Sequence, residues 1–333
     1  MKRLVGLNYI RGISSLLILF YHYTTRYQDI FHNAGAEISH KGLWWGSWAV
    51  STFFILSGFL TVYNLKQDVT AHSFLKKRAV RLYPAYWVCL IITTVVVNLF
   101  MERYKVSALT FVFNISMLQG FIGIKNVDGA YWTLTYEILF YIIVALTIIA
   151  GNFISLKNIY EKVAFVWIGF TVVYEVVLSK VGISSFALSL LTNYAHLFVI
   201  GISIFYIFHS RKNYLSFVNL IFAVFVHFVK YDVVYTVFVI AVIVLVFLLV
   251  KKEISFKYDN VLNLLSEISF PLYLIHQLMG YTIIYYFDTL WGFKTCGIVV
   301  AFVISLIVAY LIHGFVEKPM VSLSKNDRRK DIC

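Results

Sequence analysis

The chain has 333 residues, of which 61% are hydrophobic and only 13% charged, with a mean hydropathy of +0.82 and a formal net charge of +12. A soluble domain has roughly 45–50% apolar and about 25% charged residues, so this composition excludes a soluble globular protein. The apolar runs reach the length of a spanning helix and lack the short alternating segments of a β-barrel, which predicts an all-α, polytopic membrane helix bundle.

About ten transmembrane helices are predicted, in one transmembrane domain of residues 1–333 with a basic cytoplasmic tail at 318–333. With the N-terminus inside, nineteen of the 28 Lys and Arg residues lie in the cytoplasm and eight outside, and Arg11 lies within the first span. This excess predicts an N-in, C-in topology, so the basicity follows from topology and no nucleic-acid partner is expected. The predicted spans are 8–25, 44–63, 84–101, 132–150, 163–179, 186–207, 214–229, 233–250, 267–287 and 296–316.

Other segments give weaker signals. Arg11 interrupts the first apolar run and no small-residue cleavage site follows, so we expect an uncleaved first span rather than a signal peptide. The stretch 106–124 fits none of the spans and is interpreted as a re-entrant or interfacial piece on the outer side. The three cysteines have no metal-ligand spacing, so no metal site is predicted.

Arg11 and His22 place two polar side chains in the first span. Their separation is about 20° past three helical turns and about 16 Å along the axis, so they share one face but cannot touch. A charged residue in lipid costs roughly 2.5–3.5 kcal/mol or more, which predicts that this face points into the bundle. The alternative is that Arg11 and His22 reach the headgroups on their own sides of the membrane.

The connection after the second span reads FLKKRAVRLYPAYW and is interpreted as a cytoplasmic loop. Arg78 and Arg81 share a face if this stretch is helical, and Lys77 lies just before them. Guanidinium groups bind phosphate oxygens in a bidentate fork, so this cluster could hold a donor with several phosphates. The alternative is ordinary cytoplasmic charge on anionic lipid.

Three further polar positions lie inside predicted spans. Glu137, in YWTLTYEILFY, is close to the depth expected for His22, and a carboxylate near a histidine can orient it or balance its charge. His276 lies near mid-membrane in PLYLIHQ. Ser57 lies in SGFL within the second span, where tight helix packing is the simpler explanation. A structural hydrogen bond is the alternative for Glu137 and His276.

These motifs, taken in order, resemble those of the acyltransferase 3 family of membrane O-acyltransferases. The motifs are RGISSLLILFYH, STFFILSGFL, FLKKRAVRLYPAYW, YWTLTYEILFY, SFPLYLIH and FVEKP. The resemblance runs from residue 7 to residue 319, whereas 155–260 agrees mainly in hydropathy. It implies transfer of an acyl group, commonly acetyl, from cytoplasmic acyl-CoA to a sugar hydroxyl. It also implies a multi-pass protein of the bacterial inner membrane, without the extracytoplasmic hydrolase-like domain that some members carry.

The resemblance also implies residue roles. Arg78 and Arg81 match the arginine pair linked to the acyl-CoA donor, with Lys77 beside them. Arg11 and His22 match the paired arginine and histidine, and Glu137 matches the acid of the tryptophan-to-glutamate motif. Ser57, His276 and Trp132 are expected to line the site.

The expected mechanism uses His22 as general base on the acceptor hydroxyl, with Glu137 orienting or balancing it. A transient acyl group on His22 is a second possibility. Acyl-CoA, a glycan or lipid-linked saccharide, membrane lipid and other glycan-biosynthesis proteins are the expected partners. A transporter or flippase, and a protein that only binds acyl-CoA, are the competing function classes.

Overall fold

The computed structural model describes residues 4–32, 44–66, 68–153, 157–209, 213–251 and 259–323. Within these ranges the chain is almost entirely helical and has no β-strand, so the prediction of an all-α protein is confirmed. The α-helices are α1 (Val5–Tyr21), α2 (Tyr27–Phe31), α3 (Ala49–Tyr63), α4 (Ala71–Phe100), α5 (Ala108–Ile115), α6 (Trp132–Phe153), α7 (Ile159–Val173), α8 (Phe186–Thr192), α9 (Ala195–His209), α10 (Tyr214–Lys230), α11 (Val233–Lys251), α12 (Asp259–Trp291) and α13 (Lys294–Ile312).

The protein is a helical membrane protein. Large apolar side chains such as Leu99, Val166 and Ile221 are between 65 and 69% exposed, an arrangement that lipid favours over water. The predicted count of ten spans and the N-in, C-in topology stay predictions. Six helical segments of the described chain are long and apolar enough to cross a membrane: Trp44–Tyr63, Ala71–Phe100, Gly129–Phe153, Phe186–His209, Val233–Lys251 and Lys294–Leu323.

The stretch FLKKRAVR, interpreted from the sequence as a connection before the predicted span 84–101, is helical and belongs to α4. α4 begins at Ala71, where the hydroxyl of Thr70 accepts a hydrogen bond from the backbone N–H of Ser73 at 3.2 Å and caps the first turn. Pro84, the first residue of the predicted span, lies inside this long helix. The helical condition for Arg78 and Arg81 to share a face is therefore met.

The stretch 106–124 forms only short elements. α5 has eight residues, or about 12 Å, and a 3-10 turn follows at Gln119–Ile122. A span needs about 20 residues, so neither element can cross a bilayer. This agrees with the interpretation of a re-entrant or interfacial piece. The predicted tail at 318–333 is helical as far as residue 323, and its remainder lies outside the described residues.

The chain forms two compact units. Unit 1 comprises residues 1–7, 50–75 and 136–255, and unit 2 comprises residues 8–49, 76–135 and 256–333. In unit 1, α3 and α9 approach to backbone contact at Gly58 and Gly201. A Cβ added at Gly58 would lie 2.2 Å from the carbonyl oxygen of Phe198, and one at Gly201 would lie 2.1 Å from that of Ile55. Small residues permit this close crossing, as is common between membrane helices.

Unit 2 has a core of apolar and aromatic side chains from α1, α4, α12 and α13. Tyr23, Tyr27 and Tyr281 are fully buried in it, and Gly280 makes room for the ring of Tyr23. A Cβ at Gly280 would lie 2.3 Å from two ring carbons and from the hydroxyl oxygen of Tyr23. The tight fit fixes the helix that carries Tyr23 against α12.

Alanine at Gly58 or at Gly201 should destabilise the protein. The added methyl meets backbone atoms, so α3 and α9 must move apart, and overpacking of this kind typically costs about 1–3 kcal/mol. Thermal unfolding of the purified protein in detergent measures the effect. Gly169→Ala in α7 is the control, because its Cβ would have no neighbour within 4 Å. Unchanged midpoints for Gly58→Ala and Gly201→Ala would contradict the close crossing.

Candidate active site

His22 lies where the first helix changes its winding. α1 is regular as far as Tyr21, a π-helical turn covers His22–Arg26, and α2 continues the helix. Single π turns inside α-helices occur frequently at functional sites. Arg11 lies in the regular part of α1 and His22 in the π turn that follows it, and the shared face of the two side chains stays a prediction.

His22 and His276 form a contacting pair in unit 2. Nδ1 of His22 lies 3.1 Å from Nε2 of His276, and the ring centroids are 4.8 Å apart. His276 is buried and His22 is half-buried. Two residues that the sequence places in separate spans are therefore joined by a hydrogen bond.

The neighbouring carbonyl oxygens show which ring nitrogen of each histidine carries the proton. Nδ1 of His276 lies 2.9 Å from the carbonyl oxygen of Tyr273 and 3.1 Å from that of Leu272. Carbonyls only accept, so this nitrogen carries the proton, and Nε2 of neutral His276 is an acceptor. Nδ1 of His22 lies 2.9 Å from the carbonyl oxygen of Ile18 and is likewise the donor.

The assignment leaves one basic nitrogen in the pair. Nε2 of neutral His22 carries a lone pair, and no group in the described part of the chain hydrogen-bonds it. His276 accepts from the opposite nitrogen and so holds the ring in this tautomer. A base oriented by a second group in this way is the arrangement that proton abstraction needs.

Tyr23 fixes the backbone beside the histidine pair. Its hydroxyl donates to the carbonyl oxygen of His276 at 2.8 Å and accepts from the hydroxyl of Ser305 at 2.7 Å. Tyr23 and Ser305 are fully buried. This buried network therefore links the helix of His22 to α12 and α13.

A turn just before α6 holds α12 on either side of His276. The buried carboxylate of Asp128 accepts from the backbone N–H groups of Ala130 at 2.8 Å and of Leu278 at 3.0 Å. The hydroxyl of Tyr273 donates to the carbonyl oxygen of Ala130 at 3.0 Å, and the hydroxyl of Thr133 donates to Tyr273 at 3.1 Å. His276 is thus positioned from both directions along its helix.

Glu137 and Ser57 come together in unit 1. The hydroxyl of Ser57 donates to the Glu137 carboxylate at 2.8 Å, and the hydroxyl of Tyr141 donates to the same oxygen. Ser57 also lies next to Gly58, where α3 meets α9, so the packing explanation for the Ser–Gly pair holds together with the hydrogen bond. The predicted role of Glu137 towards His22 stays a prediction.

The remaining predicted site residues all lie in unit 2. Arg11 is half-buried on α1, where the neighbouring Gly12 packs against Leu265 of α12. The donor-binding candidates Lys77, Arg78 and Arg81 are half-buried on α4, and Trp132 is half-buried as the first residue of α6.

Sequence reasoning did not single out Tyr23, Asp128 or Tyr273 as supports of the site. Tyr23 follows His22 directly, and Tyr273 precedes His276 by three residues, so proximity to each histidine was the available signal. Asp128 gave no such signal, because its contact with Leu278 joins residues 150 positions apart.

Tyr23→Phe should destabilise the protein by about 1–3 kcal/mol, because it leaves buried polar groups without partners. Tyr310→Phe is the matched control, since Tyr310 lies on α13 and is 55% exposed. Thermal unfolding of both variants in the same detergent measures the difference. Equal midpoints for the two variants would show that the Tyr23 hydroxyl contributes nothing to the packing of α12.

Comparisons with known proteins identify the family. The matching family model is described as an acyltransferase domain and covers residues 4–314. Nodulation protein 10 of Rhizobium leguminosarum bv. viciae is 29% identical over 112 residues, which is 28% of this chain and 30% of that protein. The exopolysaccharide production protein ExoZ of Rhizobium meliloti (strain 1021) is 30% identical over 154 residues, which is 41% of this chain and 47% of that protein.

The matched region spans less than half the length of each of these curated relatives. No solved structure matches the chain. The family model, in contrast, covers nearly all of the chain and includes every motif from the arginine–histidine pair of the first helix to SFPLYLIH. The protein therefore belongs to the acyltransferase 3 family of membrane proteins.

Proposed function

We propose that the protein is a membrane O-acyltransferase of the bacterial inner membrane. It moves an acyl group, acetyl in the simplest case, from cytoplasmic acyl-CoA to a hydroxyl of a cell-surface or lipid-linked polysaccharide. Family membership supports the acyl transfer, and a relative named for exopolysaccharide production supports the class of acceptor. The observation that carries the proposal is the unpartnered Nε2 of His22 within the described residues.

In this reaction His22 is the general base. Its Nε2 takes the proton of the acceptor hydroxyl as the hydroxyl oxygen attacks the thioester carbonyl carbon. The tetrahedral intermediate then collapses, the carbon–sulfur bond breaks, and the CoA thiolate takes the proton back from Nε2. The products are an ester and CoA thiol, and His22 returns to its neutral form.

His276 acts by positioning His22. When Nε2 of His22 is protonated, Nδ1 still donates to Nε2 of His276, so the hydrogen bond persists through the reaction. Charge-assisted hydrogen bonds are stronger than neutral ones, so the bond also stabilises the transient imidazolium. Tyr273 and Leu272 supply the acceptors that keep His276 in the matching tautomer.

Arg78 and Arg81, three residues apart on one face of α4, are the residues to which we assign the donor phosphates, with Lys77 beside them. A guanidinium binds phosphate in a bidentate fork, so two arginines on one helical face suit a donor with several phosphates. Arg11 is assigned to the inner half of the reaction path, and charge balance by Glu137 stays an expectation of the family resemblance. Ser57 and Tyr141 hold the Glu137 carboxylate in a fixed orientation.

Purified protein in liposomes should release CoA from labelled acetyl-CoA only when a suitable glycan acceptor is present. A panel of bacterial surface glycans and lipid-linked saccharides provides the acceptors, and release of free thiol measures turnover. Transfer of the label to the glycan should match CoA release one for one, because the reaction moves a single acyl group.

Liposomes without protein and reactions without acceptor are the controls. Solute uptake without CoA release would contradict the proposal and favour a transporter. Binding of acetyl-CoA without transfer to any acceptor in the panel would favour a protein that only binds the donor. A hydroxylamine-sensitive label that stays on the protein without acceptor would replace the general base with an acyl carrier on His22.

A further inference from the structure

Unit 1 contains a cavity that is lined by none of the residues assigned a role in the proposed reaction. Its volume is about 820 Å³, within the usual range of roughly 300–1,000 Å³ for small-molecule sites. It lies where the ends of α3, α6 and α9 meet the start of α7. All of its lining residues belong to unit 1: Val62, Leu65, Lys66, Val69, Thr147, Ile148, Gly151, Asn152, Lys157, Asn158, Ile159, Tyr160, Phe205 and Tyr206.

The lining combines positive charge with apolar walls. Among the described residues that line it, Lys66 and Lys157 are the cations and none is a carboxylate. Neither lysine forms an ion pair with any residue in the described ranges. Side chains such as Leu65, Ile148 and Phe205 supply the apolar wall. A ligand that fits this lining has a negatively charged group for the lysines and an apolar chain for the wall.

Tyr206 is a polar side chain without a partner in this cavity. The residue is only 8% exposed, and within the residues that the structure describes its hydroxyl has no hydrogen-bond partner. The hydroxyl can therefore donate a hydrogen bond to an acceptor oxygen of a ligand in the cavity. Phosphate oxygens are such acceptors.

The start of α7 forms part of the cavity wall. Ile159 and Tyr160, its first two residues, line the same cavity as Lys157 and Tyr206. The buried carboxylate of Glu161 also lies in this first turn and offsets the helix dipole, so the positive charge at the cavity comes from the two lysines.

We propose that this cavity binds the phosphate group of an amphiphilic ligand, with Lys66, Lys157 and Tyr206 as its polar contacts. Two sources carry this chemistry: the acyl-CoA donor and an anionic phospholipid of the cytoplasmic leaflet. Lys66 and Lys157 both belong to the predicted cytoplasmic set, where both ligands are present. The acyl-CoA source rests on the proposed function, whereas the phospholipid source does not.

The experiment uses the full chain in nanodiscs and compares Lys66→Ala/Lys157→Ala with Lys162→Ala/Lys251→Ala. Lys162 and Lys251 are exposed lysines of the same unit that do not line the cavity, so the control makes the same change of charge. Tyr206→Phe tests the hydroxyl alone, with Tyr310→Phe as its control. One arm titrates CoA in discs of neutral phosphatidylcholine. The other arm measures retention of phosphatidylglycerol from mixed discs by native mass spectrometry.

For the acyl-CoA source, the lysine variant should raise the dissociation constant of CoA about tenfold, the effect of losing a charge-assisted contact. Tyr206→Phe should raise it by a smaller factor, and both controls should match wild type. For the phospholipid source, CoA binding is unchanged and retained phosphatidylglycerol falls only in the cavity variants. If the cavity variants match their controls in both arms, the proposal is wrong.

Neither arm requires acyl transfer, so the test of the cavity can succeed or fail independently of the test of the proposed function. Arg78→Ala/Arg81→Ala, titrated with CoA alongside, tests the donor assignment of the proposed function on different residues. A protein that never transfers an acyl group but shows lysine-dependent binding of CoA or phosphatidylglycerol would contradict only the proposed function.

Discussion

Hydrocarbon offers no hydrogen-bond partner, so every polar side chain within a membrane helix must be satisfied inside the protein. Around the histidine pair, unit 2 meets this constraint with one continuous set of contacts. Carbonyl oxygens of α1 and α12 accept hydrogen bonds from His22 and His276, and Tyr23 and Asp128 hydrogen-bond the backbone of α12 around them. The same contacts that satisfy these groups orient the rings and leave one imidazole nitrogen basic.

Close helix contacts make this arrangement possible. Gly280 admits the ring of Tyr23, and without that space the Tyr23 hydroxyl could not reach the carbonyl of His276. In unit 1, Gly58 and Gly201 bring α3 and α9 together beside Ser57, which holds Glu137. Small residues therefore serve both packing and the placement of polar groups.

The sequence predicted which polar residues belong to the site, but it did not predict which of them contact one another. Periodicity and polar residues in apolar runs identified His22, His276 and Glu137, because each is unusual in lipid. The bond between His22 and His276 could not be predicted, since it depends on how α1 and α12 are aligned, and the sequence of each helix does not determine that alignment. Depth alone suggested Glu137 as the partner of His22.

Local signals also misplaced one boundary. The third span was predicted to begin at residue 84, whereas α4 begins at Ala71 after the Thr70 cap and includes Arg78 and Arg81. The cavity lined by Lys66, Lys157 and Tyr206 could not be predicted either, because it forms from three stretches that are distant in sequence, 62–69, 147–160 and 205–206. Contacts between distant parts of the chain, rather than local helix propensity, determine both the start of α4 and the cavity.

The central claim is that His22 removes the proton from the acceptor, and His22→Ala tests it most directly. The matched control is His72→Ala, because His72 is an exposed histidine on α4. CoA release and CoA affinity are measured together for both variants in liposomes with a productive glycan. We expect acceptor-dependent release to fall about 10²–10⁴-fold in His22→Ala, with CoA affinity unchanged and His72→Ala like wild type. Release that survives in His22→Ala, or a loss of CoA binding in its place, would contradict the account.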